Sequence, residues 1–301
     1  MAEEELIVCA NGEYIPRSKA RIDPFDFGWR RGWVVYDSAP VLSGYVFKLD
    51  KHIERLWNSM LAAKITPPFT QDKAKEYLIE TVKRNGLQDA TTWIYVSYGV
   101  LTGSGYFGVP ATTTYLVIAV PYLWFGGREA QEKGIKAFIP SVRAIPPQCI
   151  PPQLKHINRL PYDFADAEAQ AAEAQAPIVL DIHGYITENN AANVWMVKDS
   201  KLHTPSADGV LQGITRETIF EIAQEQAIPA FDIRLTPYDL YTADEVFFSS
   251  SSGGIIPVIQ ISDRKIGNGT PGKMTKKISA LYFGLHKSKK YGTPVYTCDT
   301  N

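Results

Sequence analysis

Lys155, Glu188 and two loops, Gly213-Ile214-Thr215-Arg216 and Ser249 to Gly254, are the residues of this 301-residue chain whose types could do chemistry together. Lys155 stands in Gln153-Leu154-Lys155-His156-Ile157-Asn158-Arg159-Leu160, after a stretch broken by Pro146, Pro147, Pro151 and Pro152. Proline fixes φ and lacks an amide hydrogen, so no regular helix or ladder continues through that stretch, and irregular backbone holds the lysine. Pro177 to Ile182 is an apolar run of buried-strand length, His183-Gly184-Tyr185 is a turn, and Ile186-Thr187-Glu188 begins the return strand, which puts Glu188 at a hairpin edge. A lysine amine, a carboxylate and two anion-binding loops together suit pyridoxal phosphate. Its aldehyde takes an amine, its ring nitrogen a charged partner and its phosphate backbone donors. We read these parts as one site.

The ordered motifs Phe47-Lys48-Leu49-Asp50-Lys51-His52-Ile53-Glu54-Arg55-Leu56, Lys155, Thr187-Glu188-Asn189, Gly213-Ile214-Thr215-Arg216 and Ser250-Ser251-Ser252-Gly253-Gly254 span nearly the whole chain. Each alone is a weak signal. As an ordered set they resemble the fold-type IV pyridoxal-phosphate enzymes, the group of branched-chain aminotransferases, D-amino-acid aminotransferases, (R)-selective amine transaminases and aminodeoxychorismate lyase. The resemblance implies a two-lobed α+β fold, a homodimer with the site near lobe and subunit boundaries, and transfer of an amino group between an amino donor and a 2-keto acid. It makes Lys155 the catalytic residue that holds the cofactor and carries the proton of the 1,3-shift. Glu188 then keeps the ring nitrogen protonated, and Arg55 binds the phosphate together with the amides of Ile214 and Thr215 and the hydroxyls of Ser250 and Ser251, where relatives often carry threonines. Arg159 either contacts the cofactor's phenolic oxygen or braces the loop. Arg31 matches an arginine that reaches the neighbouring subunit's site and binds a substrate carboxylate, and Tyr36 matches an aromatic residue lining the substrate pocket.

The choice of substrate follows from the same matches. Arg31 points to D-amino acids, whereas Val120-Pro121-Tyr122-Leu123-Trp124 and the Phe47 to Leu56 match point to (R)-amines. Two departures count against copying the (R)-amine scheme: Leu101 to Tyr106 holds no arginine, and Arg159 stands where those enzymes carry a tryptophan. A D-amino acid or (R)-amine is the favoured donor. The alternatives are a lyase of the aminodeoxychorismate type, a branched-chain L-amino-acid aminotransferase, and a cofactor-binding relative without turnover.

Composition narrows the setting. A chain that is 45% hydrophobic can bury a large core, and a formal net charge of −1 leaves no electrostatic footprint for nucleic acid or an anionic membrane. Cys9, Cys149 and Cys298 are spread without metal-ligand or disulfide spacing, which fits a reducing cytoplasm. The acidic start lacks the pattern of a secretory signal, and no apolar run reaches the roughly 20 residues that span a bilayer.

Periodicity supplies the elements that position the site. Residues 6–49 read as short strands with turns, Asn11-Gly12 among them. Ile53, Leu56, Trp57, Met60 and Leu61 form the stripe of an amphipathic helix over Lys51 to Lys64, with Arg55 off the stripe. A second helix runs from a Thr70 cap to Asn85-Gly86. Strands follow at Thr92 to Tyr98 and, apolar on both faces and hence central, at Thr114 to Val120, with Leu101 to Ala111 a glycine-rich loop between them. The division expected is 1–123 as a small N-terminal lobe, 124–134 as linker and 135–301 as a large lobe carrying Lys155. In the latter, Ile135 to Val142 reads as strand, Asp163 to Ala176 as helix, Val194 to Val197 and Lys201 to Pro205 as a hairpin, Arg216 to Ala227 as helix, Asp244 to Phe248 as strand and Pro271 to Lys287 as the closing helix.

Overall fold

The computed structural model describes residues 5–102, 109–287 and 290–296. Packing groups the chain into two units, one of Met1–Leu123, Leu154–Asn158 and His286–Asn301, the other of Trp124–Gln153 and Arg159–Leu285. This grouping differs from the linear division at three places: the stretch 124–134 expected as linker falls within the second unit, and the other two differences have backbone reasons. The Lys155 segment runs beside a strand of the first unit, with Tyr36 N donating to Lys155 O at 2.9 Å and Ile157 N to Val34 O at 3.3 Å. The last stretch returns to pair Gly292–Pro294 with Tyr45–Phe47.

The first unit comprises β1 (Ile7–Ala10), β2 (Glu13–Pro16), α1 (Phe27–Arg31), β3 (Val34–Asp37), β4 (Pro40–Leu42), β5 (Tyr45–Phe47), α2 (Leu49–Ala62), α3 (Gln71–Arg84), β6 (Ala90–Ser97), β7 (Val100–Thr102), β8 (Val109–Thr112) and β9 (Tyr115–Pro121). Its last strand is β18 (Gly292–Pro294). The main sheet has the order β18-β5-β4-β6-β9-β1-β2 with β3 also on β6, so β9 is an interior strand. Of the predicted stripe α2 buries Ile53, Leu56 and Met60, while Trp57 is half-buried and Leu61 is exposed at the helix's end; it also buries Leu49, His52 and Ser59. Thr70 caps α3, its hydroxyl accepting Lys73 N at 3.2 Å. The unexpected element is α1: Asp26 caps its start by accepting Gly28 N, and Gly32 ends it in the left-handed conformation at φ 68°, where a Cβ is disfavoured. The stretch expected as a loop from Leu101 to Ala111 has strand at both ends, where β7 and β8 pair antiparallel, and residues 103–108 lie outside the described residues.

The second unit comprises α4 (Ala130–Lys133), β10 (Ile135–Phe138), α5 (Leu160–Ala171), β11 (Ala176–Pro177), β12 (Asn193–Lys198), β13 (Lys201–Pro205), α6 (Ile214–Glu225), β14 (Ala230–Ile233), α7 (Pro237–Tyr241), β15 (Glu245–Ser250), β16 (Gly254–Ile261), β17 (Arg264–Lys265) and α8 (Lys273–Lys287). Its sheet runs β11-β10-β16-β15-β12-β13-β14 with β17 on β16, around a core holding Ile178, Val194, Leu240, Phe248, Ile256 and Val258. β10 is parallel to β11 and to β16, while β12 and β15 pair antiparallel, so the architecture is α+β. α5 begins earlier than Asp163 because Pro161 fits its first turn, where no amide hydrogen is needed. The apolar run from Pro177 to Ile182 forms no continuous strand. Only Ala176–Pro177 joins the sheet; beyond it the hairpin is held by Val179 N to Glu188 O, 3.1 Å, and Thr187 N to Val179 O, 2.9 Å. Asp181 closes the turn, its Oδ1 accepting His183 N and Tyr185 N.

Candidate active site

In the first unit, four predicted residues take defined places. Lys155 is half-buried, its amide donating to Ser59 Oγ at 3.3 Å and its Nζ lying 4.5 Å over the ring of Tyr36. Tyr36 stacks on its cross-strand partner Tyr95 with ring centroids 5.3 Å apart, so the lysine amine rests against an aromatic wall. Arg55 grips Asp37 with its planar fork, Nε to Oδ2 at 2.7 Å and Nη2 to Oδ1 at 2.9 Å. Arg31 is exposed in the last turn of α1, its guanidinium 5.3 Å from the Phe27 ring centre.

Asp37 and His52, which sequence reasoning missed, form the buried polar centre of this unit, joined Oδ1 to Nδ1 at 2.7 Å. Burial alone would raise the Asp37 carboxyl, but the Arg55 guanidinium and the His52 bond together hold it well below the usual carboxylate range. Burial pushes His52 down, the bond to Asp37 opposes this, and the charges of Arg55 and Lys155 push it down further. The sequence did carry a signal: a carboxylate at the end of the apolar strand Val34-Val35-Tyr36-Asp37, and a histidine one helical turn before Arg55.

His286 stacks on Phe47 at 4.0 Å and is 6% exposed; burial, then the charge of His52, push it down to about 3. A depressed histidine binds fewer protons folded than unfolded, so the stability it contributes is present above about pH 6.5 and is lost as the pH falls from there toward about 3. Near pH 4 this amounts to a loss on the order of 3 kcal/mol at 1.36 kcal/mol per pH unit. Urea melts at pH 7 and pH 4.5 are expected to differ less in H286F than in the parent; an unchanged difference removes His286 as the cause.

In the second unit Glu188 is buried, and its Oε2 accepts Leu211 N at 3.0 Å and Asn193 Nδ2 at 3.3 Å. Tyr162, on α5, also bonds Glu188; its phenol is pushed up by burial and then by the Glu188 charge. Asn193 serves two places, because a Cβ on Gly213 would collide with its Oδ1. That glycine is the N-cap of α6, whose start has no side-chain cap and holds Ile214 and Thr215 buried, with Thr215 Oγ1 3.3 Å from Tyr282 Oη. A helix start of this kind suits an anion through its amides and dipole. Ser250 donates to Ala191 O at 2.8 Å and accepts Ser252 N at 3.1 Å, and Ser251 follows it before Gly253 at φ 100°. A Cβ on Gly253 would meet Phe125 N at 2.9 Å, so only glycine fits there. Arg159 donates to both oxygens of Asn190 and lies 4.0 Å over the Tyr162 ring.

Each unit carries groups of the types that pyridoxal phosphate takes: the first an amine and an arginine, the second a buried carboxylate, an uncapped helix start and serine hydroxyls. Among the described residues no group of three or more histidines, cysteines, aspartates and glutamates could hold a metal ion, and no helix is long and apolar enough to cross a membrane.

Known proteins resemble this chain over most of its length. The amino-transferase class IV family matches residues 34–261. A putative branched-chain-amino-acid aminotransferase of Methanocaldococcus jannaschii is 32% identical over 95% of this chain and 98% of its own length. Among solved structures, Escherichia coli branched-chain amino acid aminotransferase superposes with a TM-score of 0.92 at 28% identity, covering 97% of this chain and 100% of that one. A T.th. branched-chain amino acid aminotransferase solved with pyridoxamine 5'-phosphate gives 0.91 at 25% identity, covering 97% and 99%. Motif order, fold and match agree, and the chain belongs to the class IV amino-transferase family, the fold-type IV transaminases that depend on pyridoxal phosphate.

Proposed function

We propose that the protein transfers the amino group of a branched-chain L-amino acid to a 2-keto acid. The observation that carries this reading is the near full-length likeness to branched-chain aminotransferases in both sequence and fold. It replaces the D-amino-acid or (R)-amine preference drawn from Arg31 and Val120 to Trp124, which none of these relatives supports. The stacked Tyr36–Tyr95 pair beside Lys155 is in keeping with it, since an aliphatic side chain packs well on aromatic faces.

Bound pyridoxal phosphate supplies an aldehyde that takes the amino group and a ring that accepts electrons. In this proposal the Lys155 amine carries the proton between the substrate α-carbon and the cofactor's C4′. Glu188 keeps a proton on the ring nitrogen, oriented by Leu211 N and Asn193. The amides of Ile214 and Thr215, the Ser250 and Ser251 hydroxyls and Arg55 hold the phosphate. Tyr36 lines the substrate's side-chain space, and Arg31, in a homodimer, binds a substrate carboxylate of the neighbouring subunit. Of its two roles we give Arg159 the bracing one, because its donors engage Asn190.

A donor panel tests the reading. With 2-oxoglutarate as acceptor, L-leucine, L-isoleucine and L-valine should turn over at least about tenfold faster than D-alanine, D-glutamate or either 1-phenylethylamine enantiomer, a gap of about 1.4 kcal/mol. Faster turnover of any D-amino acid or (R)-amine restores the other preference. Keto-acid release over many turnovers without any acceptor identifies a lyase instead, since the first half of transamination yields only one equivalent per site.

A further inference from the structure

We propose that Asp37 and His52 are positioning residues for Arg55, holding its guanidinium in one attitude for the cofactor's phosphate; this rests on reading Arg55 as a phosphate ligand. Asp37 lies outside the sequence motifs that mark the site, and His52, although inside the Phe47 to Leu56 motif, was given no role there. Asp37 closes β3 and is 3% exposed, yet its carboxylate is gripped from three sides. Oδ1 accepts Ser38 N at 2.7 Å, His52 Nδ1 at 2.7 Å and Arg55 Nη2 at 2.9 Å, while Oδ2 accepts Arg55 Nε at 2.7 Å. An arginine has five donors, so giving one edge of the fork to Asp37 does not exhaust it. That edge fixes the plane of the guanidinium, which on an open surface would wander among many rotamers.

The protonation states follow from the partners. Arg55 is always charged, so Asp37 beside it is ionised and can only accept. His52 must therefore carry its hydrogen on Nδ1. A buried neutral imidazole has no second N–H, and His52 Nε2, itself buried, has no hydrogen-bond partner among the described residues. An unpaired buried nitrogen opposes folding, and an aliphatic side chain would fill the same space without it. What the histidine supplies and an aliphatic residue would not is the Nδ1–H to Asp37. One turn apart on α2, His52 and Arg55 thus meet on the same carboxylate, one as its orienter and the other as its cargo.

The test compares binding of pyridoxal phosphate with binding of pyridoxal, which lacks the phosphate, to cofactor-stripped full-length protein. Replacing Asp37 by asparagine is expected to weaken pyridoxal phosphate roughly 10- to 30-fold, the scale of a released arginine, and pyridoxal less than about twofold. His52→Leu should show the same selective loss to a smaller extent, roughly threefold to tenfold, as only one of four donors to Asp37 is removed. His52→Asn, whose side-chain amide can donate in place of Nδ1–H, should recover most of it. His52→Leu keeps the core filled, so the question stays answerable if the Asp37 variant does not fold. Equal weakening of both ligands, or none, in a folded His52→Leu protein overturns the positioning role. Arg55→Ala separates the two levels. If it abolishes the preference for the phosphorylated ligand while the His52 and Asp37 variants keep it, only the positioning role fails. If it keeps the preference, the phosphate reading of Arg55 fails and takes the positioning role with it.

Discussion

Lys155→Ala protein is expected to lose transamination by about 10³-fold or more while remaining folded. The lysine is half-buried, and what fixes its segment is backbone, Tyr36 N to Lys155 O and Ile157 N to Val34 O, which the substitution leaves in place. Its Nζ lies over Tyr36, so truncation removes a cation–π contact worth about 1 kcal/mol and opens little space. Borohydride treatment of the parent holoenzyme should attach the cofactor irreversibly at Lys155, as read by peptide mass, and the variant should stay unlabelled. Labelling elsewhere, or an active Lys155→Ala enzyme, would remove the lysine from its role.

Glu188→Gln is the second large effect, a fall in kcat of roughly 10²- to 10³-fold with little change in thermal stability. Glutamine keeps an oxygen that can accept Leu211 N and Asn193 Nδ2, so the local bonds survive while the negative charge is lost. The charge is what matters for a ring nitrogen that must stay protonated. The phenol of Tyr162 reports on the same change from inside the unit. It is pushed up by burial and by the Glu188 carboxylate, and without that charge it should ionise at lower pH, visible by ultraviolet titration. An unchanged kcat in the folded variant would assign Glu188 to structure alone.

The sequence disclosed these parts unevenly, and the unevenness has physical causes. α2 and α3 were legible because a helix that buries one face repeats its apolar residues at helical spacing, and because Thr70 is a good cap. Lys155, Glu188, Gly213 to Arg216 and Ser250 stood out as candidates only as an ordered set, since none has a local pattern of its own. The run from Pro177 to Ile182 misled because apolar composition reports burial, not pairing, and Pro177 has no amide hydrogen to give a ladder. Asp37 and His52 escaped because their bond joins a strand to a helix, and nothing near either residue in sequence names the other. The place of Lys155 beside β3 escaped for the same reason, being set by backbone bonds to Val34 and Tyr36.

The first unit is sewn from three stretches of chain, Met1–Leu123, Leu154–Asn158 and His286–Asn301. A ribosome makes the first of these before the second unit and the last after it, so the first unit can be completed only once the second has been made. Until that last stretch emerges, Tyr45–Phe47 lacks the neighbour on one side that Gly292–Pro294 provides, and the fully buried Val295 is missing from the core. A nascent or truncated protein would therefore present an unzipped strand to whatever else is being synthesised nearby. Fragments stopping at Leu123 should be sticky and poorly folded, and loss of Gly292–Pro294 would be felt at Tyr45–Phe47.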